Sequence, residues 1–298
     1  MKFENIKVYN FENALRGMRN PKNSWNLSDS YFGLINIDDD EHDYEVAEEW
    51  VQKKFPNYQS DADNEALMAQ EEYDRWLLNN GILEINFDHQ LANVAFIGPN
   101  DMKLAKALIH GGSEHRKFLR QIMVTVDITA PLFWWKEFDT YKVGTTANST
   151  STMHKLTSKP ITKDCFEIDD YDQDLSVDFT DQSLAGENGF TDHWHMDMFV
   201  DDIIDRLEEL RLAYLQTKDK RYWKELVRWL PESWLQTRTV TMNYENVLAM
   251  VHQRGHHKLT EWSGDGEEFI NESFIKFAHS LPYSDDFIFI DNNTTESK

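Results

Sequence analysis

Several stretches of the chain gather side chains that could do chemistry. "HGGSEHRKF" holds His110, His115 and Arg116 between an expected helix end and a strand start, and its glycines would let a ligand approach the backbone. The same residues also suit a plain helix cap with a surface histidine. "TDHWHMD" sets His193 and His195 two apart, on one face if the segment is a strand, with Asp197 beyond them. Two imidazoles and a carboxylate could hold zinc or iron for a metal-dependent hydrolase. An isolated H-x-H is common by chance, so we expect no metal and keep the hydrolase as the lesser alternative. Cys165 is the only cysteine. Its neighbours, "KDCFEID", offer no histidine and no helix start to lower the thiol pKa, so we read an inert thiol rather than a nucleophile. Further on, the strand-like "TRTVTMN" leads into "NYENVLAMVHQR". That places Asn243 at a helix start and Arg254 at its end, about three turns later. An arginine there can simply answer the last carbonyls of the helix.

One more stretch stands out by what it lacks. After the apolar "ITAPLFWWKEF" comes "DTYKVGTTANSTSTMH", from Asp139 to His154, a run of small hydroxyl and amide residues with one glycine and no proline.

These candidates sit in an acidic molecule. The chain has 298 residues, 53 acidic against 30 basic, and a formal net charge of −23. Such a field repels nucleic-acid phosphates and anionic lipid heads. An anionic small ligand needs a local gathering of Arg, Lys or helix N-termini. Hydrophobic residues make up 40 % and aromatics 13 %, enough for a real core in one large domain, or at most two. No apolar run approaches the roughly 20 residues that cross a bilayer. The start, "MKFENIKVYNF", lacks a signal peptide's apolar centre. We expect a soluble, cytoplasmic protein that engages neither nucleic acid nor membrane. Neither G-x-G-x-x-G nor a Walker A loop is present.

The elements that must position the candidates follow from spacing. "NVAFIGPND" reads as a strand and turn, and "DMKLAKALIHGG" as a helix capped by Asp101 and stopped by Gly111. "KFLRQIMVTVDITA" predicts a strand, and Pro131 opens a helix over "PLFWWKEFDTY". Phe199, Ile203, Leu207, Leu210 and Tyr214 recur at helical spacing, and further helices follow over "KRYWKELVRWLP", "NYENVLAMVHQR" and "DGEEFINESFIKFAHSLP". Residues 36–92 are acid-rich and read as a solvated insertion. The tail "DNNTTESK" reads as frayed.

Taken in order, "HGGSEH", a strand, a helix, a polar ribbon with N-x-x-S, "LP", a strand, "MN" and a helix ending in arginine resemble the flavin-dependent thymidylate synthases. The resemblance covers roughly residues 94–155 and 229–262. It implies an α/β (α+β) fold, residues 1–298 as a single domain, with a central, mainly antiparallel sheet flanked by helices. That family's signature reads R-H-R-x-x-S-x-N-x-x-S-x-R in outline. Glu114 and His115 match its Glu-His pair, Thr146 its first Ser, and Asn148 and Ser151 its Asn and second Ser. Leu230 and Pro231 match its Leu-Pro, and Asn243 and Arg254 the two ends of its later helix. The resemblance implies that Arg254 and Ser151 bind and act on the nucleotide. It implies that His115, Lys142, Thr146, Asn148 and Asn243 frame FAD.

The activity so implied is methylation of dUMP to dTMP. Methylenetetrahydrofolate gives the carbon, reduced FAD the hydride, and NADPH reduces the flavin. The assembly so implied is a homotetramer. Tyr141, Lys142 and Val143 replace the signature's leading cations, and Met153 its last arginine. Each lost charge-assisted phosphate contact costs about 1.5–3 kcal/mol. Arg16 and Arg19, in an acid-free stretch, are candidate replacements, with Lys136 and Lys155 beside the ribbon. The ribbon then reads as a ligand-lining loop that uses neutral donors where relatives use guanidinium groups. The alternatives are a relative that binds nucleotide or flavin without the reaction, and the hydrolase.

Overall fold

The computed structural model describes residues 1–36, 84–86, 91–181, 190–264 and 272–290. Strand β1 (Lys2–Tyr9) leads into helix α1 (Phe11–Arg19), and β2 (Tyr31–Asn36) follows. Strands β3 (Glu84–Asn86) and β4 (Leu91–Phe96) precede α2 (Pro99–His110). Strand β5 (Met123–Pro131) runs into α3 (Leu132–Phe138). The ribbon contains β6 (Thr146–Ser149) and the single-turn α4 (Thr152–Lys155). Strands β7 (Ser176–Asp181) and β8 (Phe190–His195) lead into α5 (Met196–Thr217) and α6 (Lys220–Arg228). Strand β9 (Leu235–Asn243) continues into α7 (Tyr244–Arg254). Helices α8 (Thr260–Ser263), α9 (Phe274–His279) and α10 (Ser284–Phe287) complete the order.

The principal sheet has the order β1-β5-β9-β6. Thr125 faces Thr241, with hydroxyl oxygens 3.3 Å apart, and Thr129 faces Thr237 at 2.7 Å. Advancing along β5 therefore means retreating along β9, and the sheet is antiparallel, flanked by helices. Strand β5 alternates buried and half-buried residues, as β-branched residues on a one-sided sheet should. A smaller antiparallel sheet has the order β2-β4-β3, and β7 pairs antiparallel with β8. The acidic segment expected at 36–92 lies mostly outside the described residues, as do 265–271 of the last expected helix and the tail beyond 290.

The chain divides into two compact units. The first comprises Met1–Lys2, Ile128–Thr140 and Ala147–Thr239; the second, Phe3–Asp127, Tyr141–Thr146 and Val240–Lys298. In the first, α3 buries Trp134, Trp135 and Phe138, and the Trp135 indole donates to the Gln236 carbonyl at 2.9 Å. Helix α5 buries Leu207 against Leu156, Ile161, Phe166 and Leu226. Beside it, the nearly buried Arg211 guanidinium donates to both oxygens of Glu208, at 2.7 and 2.6 Å, and to the Thr157 carbonyl at 3.2 Å. The Ile161 amide donates to Glu208 at 2.8 Å, so one ion pair holds the 157–161 turn on the helix.

In the second unit, α1 turns Phe11, Ala14, Leu15 and Met18 inward. Phe11 meets the edges of Tyr244 and Tyr283 at 5.6 and 5.8 Å. The Tyr244 hydroxyl donates to the Pro282 carbonyl at 2.7 Å, and burial pushes that phenol well above its ordinary range. Helix α2 is capped differently from the expectation. Gly98 occupies the cap with Pro99 in the first turn, and Asp29 accepts from the amides of Asn100 and Asp101 at 2.8 and 3.1 Å. Asp101 instead turns inward to Arg19, because the guanidinium needs a counter-charge more than the helix needs a second cap.

Candidate functional site

The second unit brings Tyr141–Thr146 of the ribbon and helix α7 together. Asn243 has an extended backbone, and its side-chain oxygen accepts from the Asn246 amide at 3.0 Å. The Asn246 side-chain oxygen accepts from the Asn243 amide at 3.2 Å, which completes a reciprocal cap. Asn246 then donates through Nδ2 to the Val143 carbonyl at 2.7 Å. One asparagine thus starts the helix and tethers the ribbon.

The next residue explains the ribbon's single glycine. Gly144 has φ +81°, and a Cβ there would lie 2.8 Å from the Asn246 Oδ1 and 2.9 Å from the Asn243 Nδ2. Both the backbone conformation and the approach of the two amides require glycine.

The other end of α7 holds the ribbon's first residue of this unit. The Tyr141 hydroxyl donates to the Gln253 Oε1 at 3.0 Å and accepts from the Arg254 Nε at 2.9 Å. The Arg254 guanidinium carbon lies 5.8 Å from the Tyr141 ring centre and 5.2 Å from that of Trp262. Both distances are within cation–π range. The Thr145 hydroxyl donates to the Tyr141 carbonyl. Hydrogen bonds from residues 141–143 therefore reach both the last turn of α7, through the Tyr141 side chain, and its first, through Asn246.

Around this line, Lys142 and Thr146 are exposed, and Val143 is 88 % exposed. His115 is exposed beside Gly111, where a Cβ would come within 3.2 Å of the imidazole. Arg116 donates through Nε to both oxygens of Glu245, at 3.0 and 3.1 Å, in the first turn of α7. Partial desolvation, aided by the Arg116 charge, holds the imidazole of the largely exposed His252 below its ordinary pKa.

Arg16 is exposed, with its guanidinium 5.4 Å from the Trp25 ring centre. Arg19 is only 5 % exposed and is bound to the fully buried Asp101. Of the expected arginine pair, only Arg16 presents its charge at the surface.

In the first unit, Asn148 is exposed on β6. Ser151 caps α4, its hydroxyl accepting from the His154 amide at 3.1 Å. Met153 is exposed, and Lys136 is paired with Glu232 at 2.7 Å. His193 and His195 occupy alternate positions of β8, and Asp197 lies in the first turn of α5. Among the described residues, no group of three or more His, Cys, Asp or Glu side chains is placed to hold a metal ion. Cys165 is half-buried, its sulfur 3.8 Å from the Pro160 carbonyl oxygen. Among the described residues, no helix is long and apolar enough to cross a membrane.

Sequence reasoning missed Asn246, Gln253, Trp262 and the part played by Tyr141. The spacing N-x-x-N over Asn243 and Asn246 was a local signal for the first of these. The others are contacts made across the fold.

No protein-family model matches the chain, and no curated protein matches it. Among the solved structures that align with it in part are two of one protein. One is the flavin-dependent thymidylate synthase ThyX from Helicobacter pylori complexed with FAD and dUMP. It is 14 % identical, over 64 % of this chain and 83 % of that one, with a TM-score of 0.42. The other is thymidylate synthase X from Helicobacter pylori with FAD and dUMP. It is 14 % identical, over 66 % of this chain and 85 % of that one, with a TM-score of 0.45.

Proposed function

We propose that the chain is a divergent flavin-dependent thymidylate synthase-like enzyme, methylating dUMP to dTMP with methylenetetrahydrofolate and reduced FAD. The observation that carries this reading is the tether between the two segments that resemble the family. Ribbon residues 141–143 hydrogen-bond to the Asn243–Arg254 helix, bound at one end by Asn246 and at the other by Arg254.

The donor set suits an anionic, ring-bearing ligand. Asn243 and Asn246 bring amides close to Gly144, Lys142 supplies an exposed charge, and Thr146 an exposed hydroxyl. FAD, when bound, supplies the hydride; His115, Lys142, Thr146 and Asn243 in the second unit, and Asn148 in the first, are its assigned holders. Arg254 is assigned to the pyrimidine, where a fixed guanidinium stabilises charge on a carbonyl oxygen. Ser151, in the first unit, is assigned to the nucleotide phosphate. Of the Arg16 and Arg19 pair, Arg16 is the one assigned to phosphate, since Arg19 is bound internally. NADPH as reductant and a homotetramer complete the proposal, and light scattering tests the latter.

The absorbance spectrum of the purified protein, alone and after adding FAD, is the first test. Release of tritium from 5-tritiated dUMP, dependent on methylenetetrahydrofolate, is the second. A protein that neither carries nor takes up flavin overturns the proposal. Arg254→Ala should abolish dUMP binding with the thermal midpoint unchanged; retained affinity removes that assignment. The signature cations replaced by Tyr141, Val143 and Met153 favour a second reading, a flavin and nucleotide binder without the reaction. Flavin binding without tritium release would select it.

A further inference from the structure

We infer that Tyr141 is a positioning residue, whose phenolic oxygen sets the orientation of the Arg254 guanidinium. This rests on the proposed role of Arg254 as the nucleotide-binding arginine, and it adds a residue of a type the resembled signature does not carry at that place.

The hydrogen-bond directions carry the argument. A phenol has one proton to give and lone pairs to receive. The Tyr141 proton goes to the Gln253 Oε1 at 3.0 Å, which turns the lone pairs toward the Arg254 Nε at 2.9 Å. The tyrosine cannot exchange these roles, because Nε–H only donates. Trp262, fully buried, lies 5.2 Å from the guanidinium carbon, and its ring centre is 6.2 Å from that of Tyr141. Two rings and one directed hydrogen bond thus restrain a side chain that otherwise has many rotamers.

The tyrosine is itself delivered by fixed backbone. Its carbonyl accepts from the Thr145 hydroxyl, and two residues on, the Val143 carbonyl accepts from Asn246. Charge explains the choice of residue. A cation at position 141 would stand against Arg254 and repel it, whereas a neutral phenol orients the same arginine without repulsion. In a chain with a net charge of −23, orienting one guanidinium well replaces gathering several.

The test reads Arg254 directly. In nitrogen-15 spectra, its Nε–H signal, assigned by its loss in Arg254→Lys, should exchange slowly with water. Tyr141→Phe keeps the ring and removes the oxygen, and should speed that exchange by about tenfold or more. Gln253→Ala, at an exposed position, should move it in the same direction. Unchanged exchange in Tyr141→Phe, with its thermal midpoint intact, overturns the inference.

A second measurement uses dUMP. Tyr141→Phe should weaken its affinity about tenfold. Unchanged affinity in that variant, with binding by the wild type measured beside it, overturns the inference. A wild-type protein that does not bind dUMP at all defeats the proposed function, and the exchange rates then decide the positioning alone.

Discussion

Replacing Asp101 by Asn should strongly destabilise the second unit. The Asp101 side chain is 0 % exposed and Arg19 5 %, and the two are bound directly. The other carboxylate oxygen accepts from the Ser28 and Ser30 hydroxyls at 2.6 and 2.5 Å. Breaking a buried pair by removing one partner costs about 3–5 kcal/mol, because the remaining charge stays desolvated and uncompensated. Asparagine keeps one acceptor oxygen for the serines, which places the expected loss near the lower end, about 3 kcal/mol. Against a total stability of about 5–15 kcal/mol this is a large fraction. Urea unfolding followed by tryptophan fluorescence reads it, with the slope checked for constancy. Arg19→Met combined with Asp101→Leu removes both charges and should recover at least half of the loss. A loss for Asp101→Asn below about 1 kcal/mol would refute the reasoning, since Arg19 would then have found another partner or water. The same outcome would reopen Arg19 as a surface ligand for phosphate.

Gly144→Ala should cost about 1–3 kcal/mol, from the left-handed backbone and the two amides a methyl would meet, and should speed proteolysis within the ribbon. For Glu208, hydrogen bonding from Arg211 is the main cause, and the Ile161 amide a lesser one, of a carboxyl held below its ordinary value of about 4.5. A lowered folded pKa means stability that is present above that value and lost as the pH falls through the folded one. The gap in thermal midpoint between wild type and Glu208→Gln should therefore shrink below about pH 4; a gap independent of pH would show that the charge contributes nothing. Cys165→Ser should keep whatever activity is measured, because the thiol has no base beside it; a dead variant would bring back nucleophilic catalysis.

Local signals account for what was legible in advance. The β-branched alternation of β5, the start of α7 at Asn243 and the long helix after His195 all depend on neighbours within a few positions. So did the order of segments that suggested a family. Where a local signal had two uses, the reading went astray. Asp101 suited a helix cap, yet a buried guanidinium 82 positions earlier claims it. The helix stripe that began at Phe199 turns inward only from Ile203 onward, and Phe199 stays exposed beside Trp194.

By itself, then, the sequence determined the strand at β5, the scarcity of cations, and the limits of α7, since propensity, periodicity and charge are written residue by residue; the antiparallel arrangement of the sheet came only from the resemblance. Tertiary structure alone decided which of Arg16 and Arg19 stays at the surface, why the ribbon's one glycine stands at 144, and that Tyr141 meets Arg254, 113 positions away. Such pairings leave no periodic trace in the chain. They are chosen when buried donors and acceptors must find partners, and that choice is made only once the core has closed.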